Sequence, residues 1–349
     1  MSMKIERNSF KDCKGNLFQV TVLTVGGKRP GPVITIIAGQ HGMEHSGPCF
    51  LPELAEELDR TDFAGTVHIC PCANPGALAM DYEFYPERED LSLIKDYYYS
   101  IFRHEYSPWG LGRKDGVKND YNMNRLWNRT GNGIAFEITS WLWKNYVEPA
   151  NLTLDLHCAQ VSRPYIYNDF PKNNPLIAVT GIELSIPEYR KKSLANTLNY
   201  QAAKREGRYA FCIEFSIQHG LREHEYPIGK NAVRNLMIKM GMLKAEPVPG
   251  PHPTYSLPEE QTEENSRCVM SSNFGHIRYF FDDCKPVKKG DLLYEIRDIQ
   301  TLEILECGFA PFDGIIWNKT FKPLAEPGLR LFNFYQVTEL KADFRTLIC

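Results

Sequence analysis

The sequence predicts an α/β protein, a mixed and mostly parallel sheet with helices on both faces, followed by a small C-terminal all-β domain. Three observations carry this expectation. Over the first two-thirds of the 349 residues, short apolar β-rich runs alternate with longer helix-compatible stretches. The runs are mostly continuous in apolar character rather than alternating, as strands covered on both faces are. After residue 264 the texture changes to short strands between Gly- and Pro-containing turns, with no long helical pattern before the final residues.

The elements follow in order. Pro32 to Ile37 reads as a buried strand, and Ser46 to Leu58 then sets Phe50, Leu51, Leu54 and Leu58 at helical spacing. Thr66 to Cys70 is a second strand. Ile134 to Tyr146, with aromatic residues interleaved with polar ones, reads as a helix, and Asn151 to Leu156 and Tyr209 to Ile213 are the third and fourth strands. Between Lys244 and Glu264 the run Glu246-Pro247-Val248-Pro249-Gly250-Pro251-His252-Pro253 has a linker composition. Residues 1–250 are therefore expected as a large α/β domain and 251–349 as a linker and a β-barrel-like domain, its turns at Lys289-Gly290-Asp291, Pro311-Phe312-Asp313-Gly314 and Glu326-Pro327-Gly328.

Composition narrows the function. Forty Lys+Arg against 43 Asp+Glu, a net charge of -3, provide no basic field for nucleic acid and no polybasic patch for a membrane surface. The opening Met1 to Arg7 lacks the apolar stretch of a signal peptide, and no window approaches the ~20 apolar residues of a membrane span. A cytoplasmic protein is expected. The ten cysteines fit that setting as reduced thiols: Cys70-x-Cys72 is too tight for a zinc-knuckle pair and the others are scattered singly. A homo-oligomer is compatible with the sequence.

Ligands of open α/β sheets bind outside the carboxyl ends of the strands, so the residues following the four strands should converge. They are Gly39-Gln40-His41-Gly42-Met43-Glu44-His45, Asn74-Pro75-Gly76, His157 and Glu214. His41-x-x-Glu44 puts an imidazole and a carboxylate three residues apart, and His157 from a neighbouring strand completes a His2Glu set of the kind that holds catalytic zinc with an open position. The spacing alone is common; its place at a strand end, with Gly39 and Gly42 allowing a sharp turn, singles it out. His45 is expected at the surface. Asp155 shares the face of His157, either orienting that imidazole or serving as a structural carboxylate. Glu214, flanked by Ile213 and Phe215, is either a general base whose pKa burial raises or a charge paired with an arginine such as Arg163 or Arg222. The segment from Arg113 to Trp127 is either an anion-binding loop, through Arg and Asn donors, or a solvated one.

Five ordered motifs together resemble the succinylglutamate desuccinylase/aspartoacylase family of the zinc carboxypeptidase-like superfamily: Gly39 to Glu44, Asn74-Pro75, Asn124-Arg125-Leu126-Trp127, Asp155-Leu156-His157 and Glu214. Gly275-His276-Ile277, Val287 to Asp291, Ala310 to Gly314 and Glu326-Pro327-Gly328 resemble that family's β domain, so the likeness covers nearly the whole chain. The resemblance implies that His41, Glu44 and His157 hold one zinc ion per chain and that Glu214 is the general base. It further implies that Asn124 and Arg125 hold a substrate carboxylate and that Arg113 meets the developing oxyanion. Arg163, close after His157, is a further substrate-binding candidate. Two features depart from the family: Asn122 stands where it usually has Asp, and residues 76–112 form a long aromatic and charged stretch. The expected activity is zinc-dependent hydrolysis of the amide bond of a small-molecule N-acyl amino acid or similar carboxylate. The alternatives are a metallocarboxypeptidase acting on short peptides, a carrier protein, which the absence of an exposed lysine near Pro311 to Gly314 disfavours, and a partner-binding protein that has lost activity.

Overall fold

The computed structural model describes residues 3–85, 87–88, 121–188 and 195–347. Among the described residues, eight strands precede the Pro-rich segment: β1 (Lys4–Lys11), β2 (Leu17–Gly26), β3 (Arg29–Ala38), β4 (Ala64–Cys70), β5 (Leu152–Ala159), β6 (Tyr165–Asn168), β7 (Leu184–Pro187) and β8 (Tyr209–Ser216). With β9 (Thr254–Ser256) and β18 (Thr338–Leu340) they form one ten-stranded sheet, ordered β1-β2-β4-β3-β5-β8-β6-β7-β9-β18. The centre, β4-β3-β5-β8, is parallel. The mixed, mostly parallel sheet expected from the continuous apolar runs is thus present, and antiparallel pairs flank its centre. Each of the four expected strands is there. β5 and β8 run three residues further than their apolar stretches, so His157 and Glu214 lie within strands rather than just past them.

Helices cover both faces. α1 (Ser46–Asp59) and the last helix of this region, Tyr226–Lys239, bury Phe50, Leu54, Val233 and Leu236 against Ile34, Ile36, Leu154, Phe211, Ile213 and Phe215. On the other face Ile37 and Ala210 meet Trp127, Ile138, Leu142 and Leu198, the last three from the helices Ile134–Leu142 and Leu198–Ala203. Among the described residues the helices are, in chain order, α1, α2 (Pro75–Met80), α3 (Ile134–Leu142), α4 (Asn174–Ile177), α5 (Leu198–Ala203) and α6 (Tyr226–Lys239). α3 is shorter than its aromatic pattern suggests: it gives way to a π turn, Trp143–Val147, in which Tyr146 and Val147 are both buried. Because strand side chains alternate between faces, the apolar set Leu154, Leu156, Ile213 and Phe215 on the α1/α6 side forces Asp155, His157, Cys212 and Glu214 onto the opposite side.

The remaining strands are β10 (Ser266–Met270), β11 (Gly275–Tyr279), β12 (Pro286–Val287), β13 (Leu292–Arg297), β14 (Ile304–Phe309), β15 (Gly314–Trp317), β16 (Leu324–Ala325) and β17 (Arg330–Tyr335). They form two four-stranded sheets, β10-β17-β15-β12 and β14-β13-β11-β16, around Ile277, Ile296, Ile316, Phe332 and Phe334. This unit docks on the main sheet through Ile315, Trp317 and Tyr335 against Tyr165, Leu184 and Leu257. Tyr165 meets Trp317 edge-on at 5.3 Å, beside the strand that carries Glu214.

Candidate metal centre

The loop after β3 is shaped by backbone constraints that its sequence anticipates. Gly39 adopts φ +62°, a region L residues rarely occupy. Gly42 passes so close to α2 that a Cβ there would lie 1.9 Å from the Ala77 carbonyl oxygen. Asn74 caps α2 through the Ala77 N–H and donates from Nδ2 to the Gln40 carbonyl at 3.1 Å, tying the ends of β3 and β4 together. The loop therefore delivers His41 and Glu44 to the carboxyl end of β5.

Three buried side chains meet there. Glu44 Oε1 lies 2.9 Å from His41 Nδ1 and Oε2 lies 2.7 Å from His157 Nδ1. The ligand atoms of the three residues all fall within 4.8 Å of one another. Each imidazole is held from behind. His157 Nε2 is 2.9 Å from Asp155 Oδ1, and His41 Nε2 is 3.2 Å from Asn122 Oδ1. Nε2–H donation to these oxygens leaves both Nδ1 lone pairs for a metal. Gln40 bridges Asp155 and Trp127, with Nε2 2.5 Å from Asp155 Oδ1 and Oε1 accepting the indole N–H at 2.7 Å.

The electrostatics favour a cation at the centre. Burial alone would raise the Glu44 carboxyl, but the two imidazoles outweigh it and hold it at about 2. Burial would likewise depress the imidazoles. Glu44 nevertheless raises His41, and Asp155 with Glu44 raises His157 well above its ordinary value. Without a metal the pocket draws protons onto both rings; a divalent cation supplies the same positive charge and releases them. Two imidazoles and a carboxylate also match the preferences of zinc, so donor set, burial and orientation all fit that ion.

Glu214 sits beside this cluster, its strand position paired in register with His157. Burial pushes its carboxyl up to about 8, with Glu44 adding to the rise and His157 opposing it. Oε2 accepts no hydrogen bond among the described residues. Neither arginine considered for it is its partner: Arg163 pairs with Glu183 and Arg222 donates to the Ser162 carbonyl.

The other sequence candidates divide. Asn124 reaches the cluster, with Nδ2 3.1 Å from His157 Nε2 and Oδ1 accepting the Leu198 N–H. Arg125 lies next to it, its guanidinium on the Asn124 carbonyl at 2.7 Å. Arg163 Nη1 is 2.6 Å from Glu183 Oε2 in the wall of a separate cavity. Arg113 lies outside the described residues. His45 is partly exposed and pairs with Asp81 at 3.0 Å.

Sequence reasoning missed several neighbours. Glu83 accepts from Asn122 Nδ2 at 3.2 Å, placing a carboxylate behind the amide that stands where Asp is usual. Gln218 donates to the Cys158 carbonyl at 2.8 Å and reaches Glu44 Oε1 at 3.5 Å. His219 pairs with Asp81. Gln218 is aimed by left-handed residues on either side, Ile217 at φ 65° and His219 at φ 56°. A β-branched residue rarely adopts such a conformation and nothing in the local sequence announces it.

Comparison with known proteins follows the same lines. The model of the succinylglutamate desuccinylase/aspartoacylase catalytic domain matches residues 30–240. No curated protein matches the chain by sequence. Among solved structures, an aspartoacylase family protein from Mesorhizobium loti superposes with a TM-score of 0.63 at 17% identity, over 97% of this chain and 95% of the other. A succinylglutamate desuccinylase from Silicibacter sp. TM1040 gives 0.62 at 16%, over 96% and 95%. The product-bound ectoine utilization protein EutE (DoeB) from Ruegeria pomeroyi gives 0.60 at 17%, over 95% and 94%. At these identities the likeness establishes a shared fold.

Proposed function

Since the chain belongs to the succinylglutamate desuccinylase/aspartoacylase family, we propose that it is a zinc-dependent hydrolase that cleaves the amide bond of an N-acyl amino acid or similar small carboxylate. The observation that carries this reading is the buried His41–Glu44–His157 set, both imidazoles held at Nε2, with the raised Glu214 carboxyl beside it. When bound, zinc supplies Lewis-acid polarisation of a carbonyl and acidifies water. His41, Glu44 and His157 hold it, while Asp155 and Asn122 keep the rings turned.

Glu214 does the proton work. Its carboxylate takes the proton of the attacking water and delivers it to the departing amine nitrogen as the C–N bond breaks. A carboxyl poised near neutral pH can both accept and release that proton. Asn124 and Arg125 hold the substrate carboxylate, and the role of oxyanion donor is assigned to Arg113 on its sequence position alone. Residues 1–250 carry the chemistry, and the β domain beyond them, whose Trp317 packs on Tyr165 beside the strand of Glu214, favours small substrates. The described cysteines are free thiols, which suits a cytoplasmic enzyme.

The test is a screen of N-acetyl, N-succinyl and N-formyl amino acids beside short peptides, with zinc-loaded protein. Amine release from one acyl amino acid class and none from peptides is expected. Turnover of peptides alone would make the chain a carboxypeptidase. Protein purified without chelator that carries no metal would overturn the zinc reading.

A further inference from the structure

Among the described residues six strands stand at the edges of the three sheets: β1 and β18, β10 and β12, β14 and β16. An unpaired strand edge invites another strand, and proteins guard against this with charges, proline or brevity. Five of the edges carry such a guard. β1 sets out Lys4, Glu6, Arg7 and Lys11, and β10 carries Arg267. β12 has two residues, the first of them Pro286, while β16 has two and β18 three. β14, Ile304-Leu305-Glu306-Cys307-Gly308-Phe309, is six residues long and contains no Lys, Arg or Pro. It pairs with β13 on one side and with no strand among the described residues on the other.

The side chains of β14 reverse the usual arrangement. Ile304, Leu305, Cys307 and Phe309 face solvent, Phe309 with 58% of its surface exposed. Glu306, the one charged residue of the strand, is half-buried and held by the Tyr294 hydroxyl at 2.8 Å and the Ser272 N–H at 2.9 Å. An edge that turns its apolar side chains outward and ties its charge inward is built to be covered. Register shifts against β13 fall toward the strand ends, which leaves Glu306 to Gly308 as regular strand.

The pattern is complementary to itself. When two copies of one strand pair antiparallel about a two-fold axis, opposed residues share a face, so some residue must stand opposite its own copy. Leu305 or Gly308 at the axis would overlap only three residues of the strand, and Glu306 there would oppose two carboxylates. Cys307 at the axis overlaps five residues, Leu305 to Phe309. Leu305 then meets Phe309 of the second copy on the solvent face, and Glu306 meets Gly308, which carries no charge.

We propose that β14 pairs with β14 of a second copy of this chain, antiparallel about Cys307, and joins two four-stranded sheets into one of eight strands. Backbone groups along both edges gain partners, and two Leu305–Phe309 contacts leave water. The assignment goes beyond the hydrolase reading and stands whatever bond the metal centre cleaves.

Light scattering from the full chain over a range of concentrations should give twice the chain mass, falling to one chain on dilution. Opposed residues of such a pair have Cα atoms about 4.5–5.5 Å apart. A short bismaleimide, which adds one thiol at each end, should therefore join two chains through Cys307, and Cys307→Ser should lose that cross-linked peptide while keeping the dimeric mass. Cys307→Lys sets two ammonium groups face to face and should raise the dimer dissociation constant about tenfold or more. Leu305→Lys, which removes the contact with Phe309, should weaken the dimer likewise and keeps the test open if the first variant does not fold. Thermal unfolding confirms that each variant is native. A single chain at every concentration leaves the edge to a strand of another protein and overturns the proposal. So does a dimer unchanged in both folded variants, or one that the reagent does not join through Cys307.

Discussion

Replacing Glu214 by Gln separates two consequences of its environment. In the metal-free protein the carboxyl lies at about 8 against an ordinary 4.5, because burial and the nearby Glu44 penalise its ionised form. The folded state therefore holds the proton more tightly than the unfolded state. The resulting stabilisation is fully present below about pH 4.5 and is lost as pH rises through about 8. At about 1.4 kcal/mol per pH unit over that window, wild type should lose up to about 5 kcal/mol relative to Glu214→Gln, which has no proton to release. Urea unfolding of both metal-free proteins from pH 5 to 9 measures this: the two stabilities should cross or diverge, with the variant favoured at the alkaline end. In the zinc-loaded proteins the added charge favours the carboxylate, so the divergence should shrink. Turnover should meanwhile fall by roughly 10²- to 10⁴-fold, the range for removal of a general base, with metal content unchanged. Parallel pH profiles for the metal-free pair would refute the buried, raised carboxyl, and full activity in the variant would refute its role.

Three further outcomes follow from the same geometry. Glu44→Gln removes a carboxyl held at about 2 by two imidazoles. Its stabilising contribution is present above about pH 4.5 and lost as pH falls through about 2, so the metal-free variant should be about 3 kcal/mol less stable at pH 7 by urea unfolding, the deficit closing in acid. Asn122→Ala takes away the oxygen behind His41 Nε2. Zinc affinity, read by competition with a chromophoric chelator, should drop about 10- to 100-fold, and Asn122→Asp should restore it. Gly42→Ala puts a methyl group 1.9 Å from the Ala77 carbonyl oxygen. The loop carrying His41 and Glu44 must then shift, lowering stability by about 1–3 kcal/mol or more in thermal unfolding and weakening zinc binding in the same protein.

Much of this arrangement was legible in the linear sequence, for a physical reason. Strands covered on both faces must be apolar along their length, so β3, β4, β5 and β8 announce themselves, and a parallel arrangement puts their carboxyl ends at one edge. His41, Glu44, His157 and Glu214 could therefore be gathered before any coordinates. The short and polar elements could not be. β1 is largely exposed and carries little apolar signal, and β9 and β18 are three-residue strands that pair across the whole β domain. α3 ended early because tertiary burial of Tyr146 and Val147 outweighed a helical pattern that runs through them.

The sequence by itself determined which residue types stand at the strand ends, since period and apolarity are properties of neighbours along the chain. Only the tertiary structure decided what those residues do to one another. Glu83 lies 39 positions from Asn122 and Glu44 lies 113 from His157, and their contacts depend on the strand order and register that fold them together. The same holds for charge. Glu44 and Glu214 are identical in the sequence, yet one carboxyl is drawn down to about 2 by two touching imidazoles and the other is driven up to about 8 by burial. Arg163 shows the converse: its nearness to His157 along the chain pointed to the metal centre, while the fold pairs it with Glu183 in the wall of a separate cavity. Coulombic and desolvation energies depend on distance through space, and that distance exists only once the sheet is assembled.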